Sequence, residues 1–106
     1  MSSILNKKNF EAISAHDLQD KLGNIHIIDV RENEEFEEGH IPTAKNIPMD
    51  SLLAAPKKYI SKDDKYYIVC ELGVKSKETC EKLSSEGYNV VNIYDGFDNY
   101  ENPVQR

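Results

Sequence analysis

Apolar and polar residues alternate along the chain in blocks that predict strands interleaved with helices. Phe10-Glu11-Ala12-Ile13 predicts a short strand, and Ser14 is placed to cap a helix over residues 15–22 that Gly23 ends. Ile25-His26-Ile27-Ile28-Asp29-Val30 is apolar and β-branched almost throughout, the pattern of a strand buried on both faces of a parallel sheet. Arg31 to Glu38 is polar around Phe36 and predicts a short helix ending at Gly39. His40 to Pro48 carries two prolines and predicts a loop into a short edge strand near Asn46-Ile47. Asp50 is placed to cap a helix from Ser51 to about Ala55, and Lys62-Asp63-Asp64-Lys65 predicts a turn. Tyr66 to Cys70 is the clearest second central strand. A Gly-containing loop follows, then a helix from about Lys75 to Glu86, a stop at Gly87, a last strand over Tyr88–Ile93, and a turn or short helix over Asp95–Tyr100.

Strands and helices alternating at this spacing predict an α/β layer fold with a mainly parallel sheet. Ligand sites in such sheets lie beyond the carboxyl ends of the strands. Two positions qualify: Asp29-Val30-Arg31 after one strand, and Cys70 onward after another.

Length and composition narrow the setting. The 106 residues suit one domain spanning residues 1–106. No stretch approaches the ~18 apolar residues a membrane span needs. The polar Met1–Phe10 stretch carries no apolar signal core, so the expected setting is soluble and cytoplasmic, with no membrane partner. A formal net charge of −6 argues against a nucleic-acid partner. It also gives an anionic substrate no long-range attraction, so an anion site would have to be built locally. Cys70 and Cys80 lack metal-ligand spacing and a neighbouring histidine, which favours thiol chemistry over a metal site.

The stretch Cys70-Glu71-Leu72-Gly73-Val74-Lys75-Ser76 carries the most chemical information. A strand delivers Cys70 to the sheet edge, Gly73 permits a left-handed turn, and a helix begins. Main-chain N–H groups of such a loop and of a first helical turn can converge on one point, where a thiolate or the terminal sulfur of a persulfide would be held. Lys75 adds a positive charge and Ser76 a hydroxyl. A buried strand-end thiol with no chemistry is the competing reading of Cys70.

Three separated segments then resemble the rhodanese family. Asp29-Val30-Arg31-Glu32, Glu35-Phe36, Gly39-His40-Ile41-Pro42, Ala44 and Asn46-Ile47-Pro48 follow its DVRE…E[FY]…GHI…A.NIP pattern with the spacing intact. Cys70 to Ser76 looks like the family's CxxGxRS loop. Gly87-Tyr88-Asn89-Val90 and Asp95-Gly96-Phe97…Tyr100…Pro103-Val104 are similar to its GY.V and GG…W…PV endings. The resemblance implies a rhodanese-like three-layer fold, a central parallel sheet flanked by helices. It implies a sulfurtransferase in which Cys70 takes a sulfane sulfur as a persulfide and passes it on, without a metal or organic cofactor. The implied partners are a small sulfane-sulfur donor (a persulfide or thiosulfate) and a thiol acceptor, with a sulfur-carrier protein among the candidates. Glu71 to Lys75 and Ser76 would form the substrate loop, with Asp29 and Arg31 supporting it. Five residues separate Cys70 from Ser76, and related phosphatases and arsenate reductases have one residue more, so an oxyanion-cleaving activity is disfavoured.

The departures from the family pattern bear on substrate. Lys75 stands where arginine is usual, keeping charge but losing the bidentate fork. Glu71 follows Cys70 directly, and its carboxylate would repel an approaching anion, which makes thiosulfate the expected poor donor. These two positions also support a second reading, a non-catalytic binding or persulfide-sensing module. Among the other residues, Asp29 and Arg31 are expected to hold the following turn, with His40 as a candidate partner, and His40 to bond the backbone rather than act as a base. Cys80 is expected on the inner face of its helix, and the Glu32–Glu38 run on a solvated one.

Overall fold

The computed structural model describes residues 10–106. The reading of the polar N-terminal stretch falls mostly outside them. Five strands, β1 (Glu11–Ile13), β2 (His26–Asp29), β3 (Lys45–Asn46), β4 (Lys65–Val69) and β5 (Asn89–Ile93), form one sheet in the order β1-β5-β4-β2-β3. Every pairing between these strands is parallel. The helices are α1 (Asn33–Glu38), α2 (Met49–Ala54), α3 (Pro56–Tyr59) and α4 (Val74–Ser85), joined by two 3-10 segments, His16–Lys21 and Phe97–Asn99.

Side chains alternate across the sheet with the strand period of two. Ile28, Ile68 and Val90 point to one face, where they meet Leu52, Cys80 and Leu83 from α2 and α4. Ile27, Tyr67, Val69, Val91 and Ile93 point to the other, against Ala15, Leu18, Ile41 and Tyr100. Cys70 is in phase with Tyr66 and Ile68 and therefore lies on the α4 face. A slip of one residue would turn it away from that helix altogether.

The helical boundaries depart from the sequence pattern where short segments are governed by tertiary contacts. Residues 16–21 form a 3-10 helix rather than an α-helix, although the Ser14 hydroxyl does accept the Asp17 N–H at 3.1 Å. Asp50 is not a cap: α2 begins at Met49, two residues before the expected Ser51, with Pro48 in the cap position. The Met49 N–H donates to the Val30 carbonyl at 3.0 Å, so the end of β2 sets where α2 starts. The turn α3, opened by Pro56, had no signal in the apolar pattern. At α1 the cap is a reciprocal pair, Glu32 and Glu35 each accepting the other's main-chain N–H. No helix of the described residues is long and apolar enough to cross a membrane.

Candidate functional site

The strand order reverses direction between β2 and β4: the chain leaves β2 for β3 on one side and β4 for β5 on the other. Crevices form at such a switch point, beyond the carboxyl ends of the two strands. Asp29 pairs in register with Val69, and the Val30 N–H donates to the Val69 carbonyl at 2.9 Å. The two positions singled out in the sequence, Asp29-Val30-Arg31 and Cys70 onward, thus become one site.

Cys70 lies one residue past β4 and is 3 % exposed. Its Sγ accepts the Gly73 N–H and the Ser76 N–H, each at 3.2 Å. The thiol also faces Ser76 Oγ at 3.4 Å, and that hydroxyl donates to the Gly73 carbonyl at 3.2 Å. Gly73 has φ +96 and stands immediately before α4, so the turn and the first helical turn each contribute one of the two amides. A cavity of about 210 Å³ opens on Cys70, walled by Glu71, Leu72, Val74 and Lys75 from the loop and by Arg31 and Glu35 from across the crevice. Leu72 and Val74 are exposed apolar side chains at its lip. A neighbouring hollow of about 540 Å³ shares Arg31, Glu35 and Glu71 with it.

The closing turn of the chain holds the loop from below. The Phe97 N–H donates to the Cys70 carbonyl at 2.8 Å and the Asp98 N–H to the Glu71 carbonyl at 3.0 Å. Gly96 (φ +77) presses against that Glu71 carbonyl, and Gly73 against the carbonyl of Tyr94, with no room for a Cβ at either place. Gly73→Ala would therefore meet both a left-handed backbone and a backbone oxygen. It is expected to lower stability by about 2–3 kcal/mol and to pull the two amides off Sγ. Thermal melting and thiol labelling of that variant check this; native stability with native labelling would contradict it. Asp95, in place of a usual glycine, accepts the Ala15 N–H at 2.8 Å and ties this turn to the segment after β1.

Arg31 is 4 % exposed and pairs directly with the fully buried Asp29. Its Nε lies 3.0 and 3.1 Å from the two Asp29 carboxylate oxygens, and its Nη2 donates to Asp29 Oδ2 and to the Gly39 carbonyl, both at 2.8 Å. The Phe97 ring lies 4.4 Å from the guanidinium carbon. Burial opposes the Arg31 charge, but Asp29, joined by Glu71, outweighs it and holds the guanidinium above its ordinary pKa. His40 takes no part in this pair and bonds the backbone, as expected of it from its turn. Its Nδ1 sits 2.8 Å from the Phe36 carbonyl, and its ring stacks on Phe36 at 3.6 Å.

The Glu71 carboxylate reaches Arg31 Nη1 at 3.3 Å across the mouth of the cavity. In the sequence Glu71 reads as a carboxylate that repels an approaching anion; the fold gives it a cation forty positions away in the chain. The local pattern likewise assigns no role to Glu35 as a wall of the cavity or to the Gly96–Asp98 turn as the support beneath the cysteine loop. The intact Glu35-Phe36 and Asp95-Gly96-Phe97 segments were the only sequence signals of either.

Cys80 is fully buried in the same apolar cluster as Cys70. Burial, reinforced by Cys70 and Glu81, pushes its thiol up to about 12 from an ordinary 9.0. Alkylation of the native chain near neutral pH should therefore leave Cys80 unmodified until the protein unfolds. In the unfolded chain that proton leaves near 9, so between there and about 12 the unfolded state binds fewer protons. Stability attributable to Cys80 should fall as pH rises through that window, by up to about 1.4 kcal/mol per pH unit. A Cys80→Ala chain whose stability falls as steeply over the same range would show that Cys80 is not responsible.

A family model described as the rhodanese-like domain matches residues 14–103. YtwF of Bacillus subtilis, provisionally named a sulfurtransferase, is 36% identical over 89 residues, which cover 79% of this chain and 84% of that protein. UBA4 of Candida albicans, named an adenylyltransferase and sulfurtransferase, is 36% identical over 95 residues, 82% of this chain but 22% of that longer protein. The crystal structure of SSP1007 from Staphylococcus saprophyticus superposes with a TM-score of 0.84 at 30% identity, over 92% of this chain and 100% of that one.

Proposed function

The chain belongs to the rhodanese-like domain family, and on that premise we propose that it transfers sulfane sulfur through a persulfide on Cys70. The family and the names of its relatives support a role in sulfur transfer broadly. The observation that carries the finer reading is the convergence of the Gly73 and Ser76 amides on one sulfur atom at the floor of a cavity.

In the first half-reaction the Cys70 thiolate attacks the outer sulfur of a persulfide, RS–S⁻. A bond forms between Sγ and that sulfur, the donor's S–S bond breaks, and the electron pair leaves on RS⁻. In the second, an acceptor thiolate attacks the same outer sulfur, which departs as the acceptor persulfide and returns Cys70 as thiolate. Electrons balance in each step, so no oxidant or reductant is required. The two main-chain donors are present before reaction and need no reorganisation when negative charge settles on sulfur. Ser76 Oγ, now facing the thiol, can turn its hydrogen from the Gly73 carbonyl toward a thiolate. Two separate half-reactions predict ping-pong kinetics. The acceptor is a small thiol or a thiol on a partner such as a sulfur-carrier protein.

A second reading is a persulfide-binding module that loads slowly and does not turn over. The neutralisation of Arg31 by Glu71 favours it, because the cavity then offers an anionic donor little attraction. Incubation with glutathione persulfide, followed by intact-mass and peptide mass spectrometry, tests the proposal. The expected result is one added sulfur atom on Cys70 that passes to an acceptor thiol. An adduct that stays in place supports the module, and absence of any adduct on Cys70 refutes both readings.

A further inference from the structure

Building on the sulfur-transfer reading of Cys70, we infer that Glu71 is a specificity-determining residue: its carboxylate occupies the one outward nitrogen of Arg31 as an internal counter-ion, and so disfavours donors such as thiosulfate that bring an anionic group beside the reacting sulfur, relative to persulfides of thiols.

A guanidinium has five N–H donors on three nitrogens. In Arg31, Nε is committed to Asp29, and Nη2 to Asp29 and the Gly39 carbonyl. Nη1 is the nitrogen left to face the cavity on Cys70, and Glu71 Oε1 sits on it at 3.3 Å. Arg31 cannot swing toward a ligand, since burial, Asp29 and the Phe97 ring hold it in place. An incoming anion must therefore come to Nη1 and displace Glu71.

Glu71 is the movable partner, 46 % exposed and held by a single long contact. An incoming anion must break that contact, and a thiosulfate that does not break it meets a carboxylate where it needs a donor. Glu35 adds a second carboxylate to the same wall. The remaining cation, Lys75, makes no ion pair among the described residues, and it is exposed, so solvent screens its charge. The cavity lining thus carries no net positive charge for a dianion. At the reacting centre the persulfide of a thiol carries its negative charge on the sulfur to be transferred, and the carboxylates of a carrier such as glutathione lie several bonds away, whereas thiosulfate brings its sulfonate oxygens directly beside that sulfur.

The test compares kcat/KM for thiosulfate and for glutathione persulfide in the native chain, Glu71→Gln and Glu71→Ala. Freeing Nη1 in Glu71→Ala is expected to raise the thiosulfate-to-persulfide ratio about tenfold, through a lower KM for thiosulfate. Glu71→Gln should raise it less, because the amide oxygen still accepts from Nη1. A rise of less than threefold in Glu71→Ala overturns the inference. So does an equal rise in both variants, which would mean that charge alone acts and that occupancy of Arg31 does not. A native chain that takes sulfur from neither donor overturns the Cys70 reading and this inference with it, whereas native turnover with an unchanged ratio overturns this inference alone.

Discussion

A Cys70→Ser chain should lose sulfur transfer by at least about 1,000-fold while keeping its fold. An alkoxide is a poor match for sulfane sulfur and cannot carry a persulfide, so both half-reactions lose their covalent carrier. The structural cost is small by comparison. A serine hydroxyl in the same place would still accept the Gly73 and Ser76 N–H groups and face Ser76 Oγ. No buried donor is left without a partner, and the stability change should stay below about 2 kcal/mol. Steady-state assays with glutathione persulfide, alongside thermal melting, separate the two effects. Turnover within tenfold of the native chain would place the sulfur carrier elsewhere.

Arg31→Met is expected to produce the largest loss of stability of any single substitution proposed for this chain, about 3–5 kcal/mol. Asp29 is fully buried, and its carboxylate is held by the Arg31 side chain and by the Arg31 main-chain N–H at 3.0 Å. Without the guanidinium it becomes an uncompensated charge in the interior. The Gly39 carbonyl loses a donor, and Phe97 loses the cation beside its ring. Removing both partners should recover much of the loss, because a buried pair roughly offsets its own desolvation. Urea unfolding of Arg31→Met, Asp29→Leu and the double variant reads this directly. Single and double variants with additive losses would show that the pair is not the source of the effect.

This second expectation also bears on how Arg31 should be described. It is a buried structural strut with one nitrogen facing the Cys70 cavity. Loss of transfer in Arg31→Met would therefore mix unfolding with chemistry, and only Glu71 substitutions read the exposed nitrogen by itself.

Much of this molecule is legible in local patterns. Apolar runs at Ile25–Val30 and Tyr66–Cys70 mark two buried strands, because only a strand covered on both faces tolerates so little polarity. The period of two also sets which face Cys70 takes, and Gly73 before a helical segment marks the turn that aims amides at it. These features depend on residues within a few positions of one another, and such information is carried by a linear chain. What the chain could not disclose is long-range. That β2 lies beside β4, with Asp29 opposite Val69, follows from burying both faces of five strands at once, and it alone brings Arg31 to Glu71. The docking of Gly96 and Phe97 beneath the cysteine loop, and the start of α2 at Met49 on the Val30 carbonyl, are long-range in the same way. Main-chain groups left over at the strand ends find their partners wherever packing delivers them, and no local period encodes that choice.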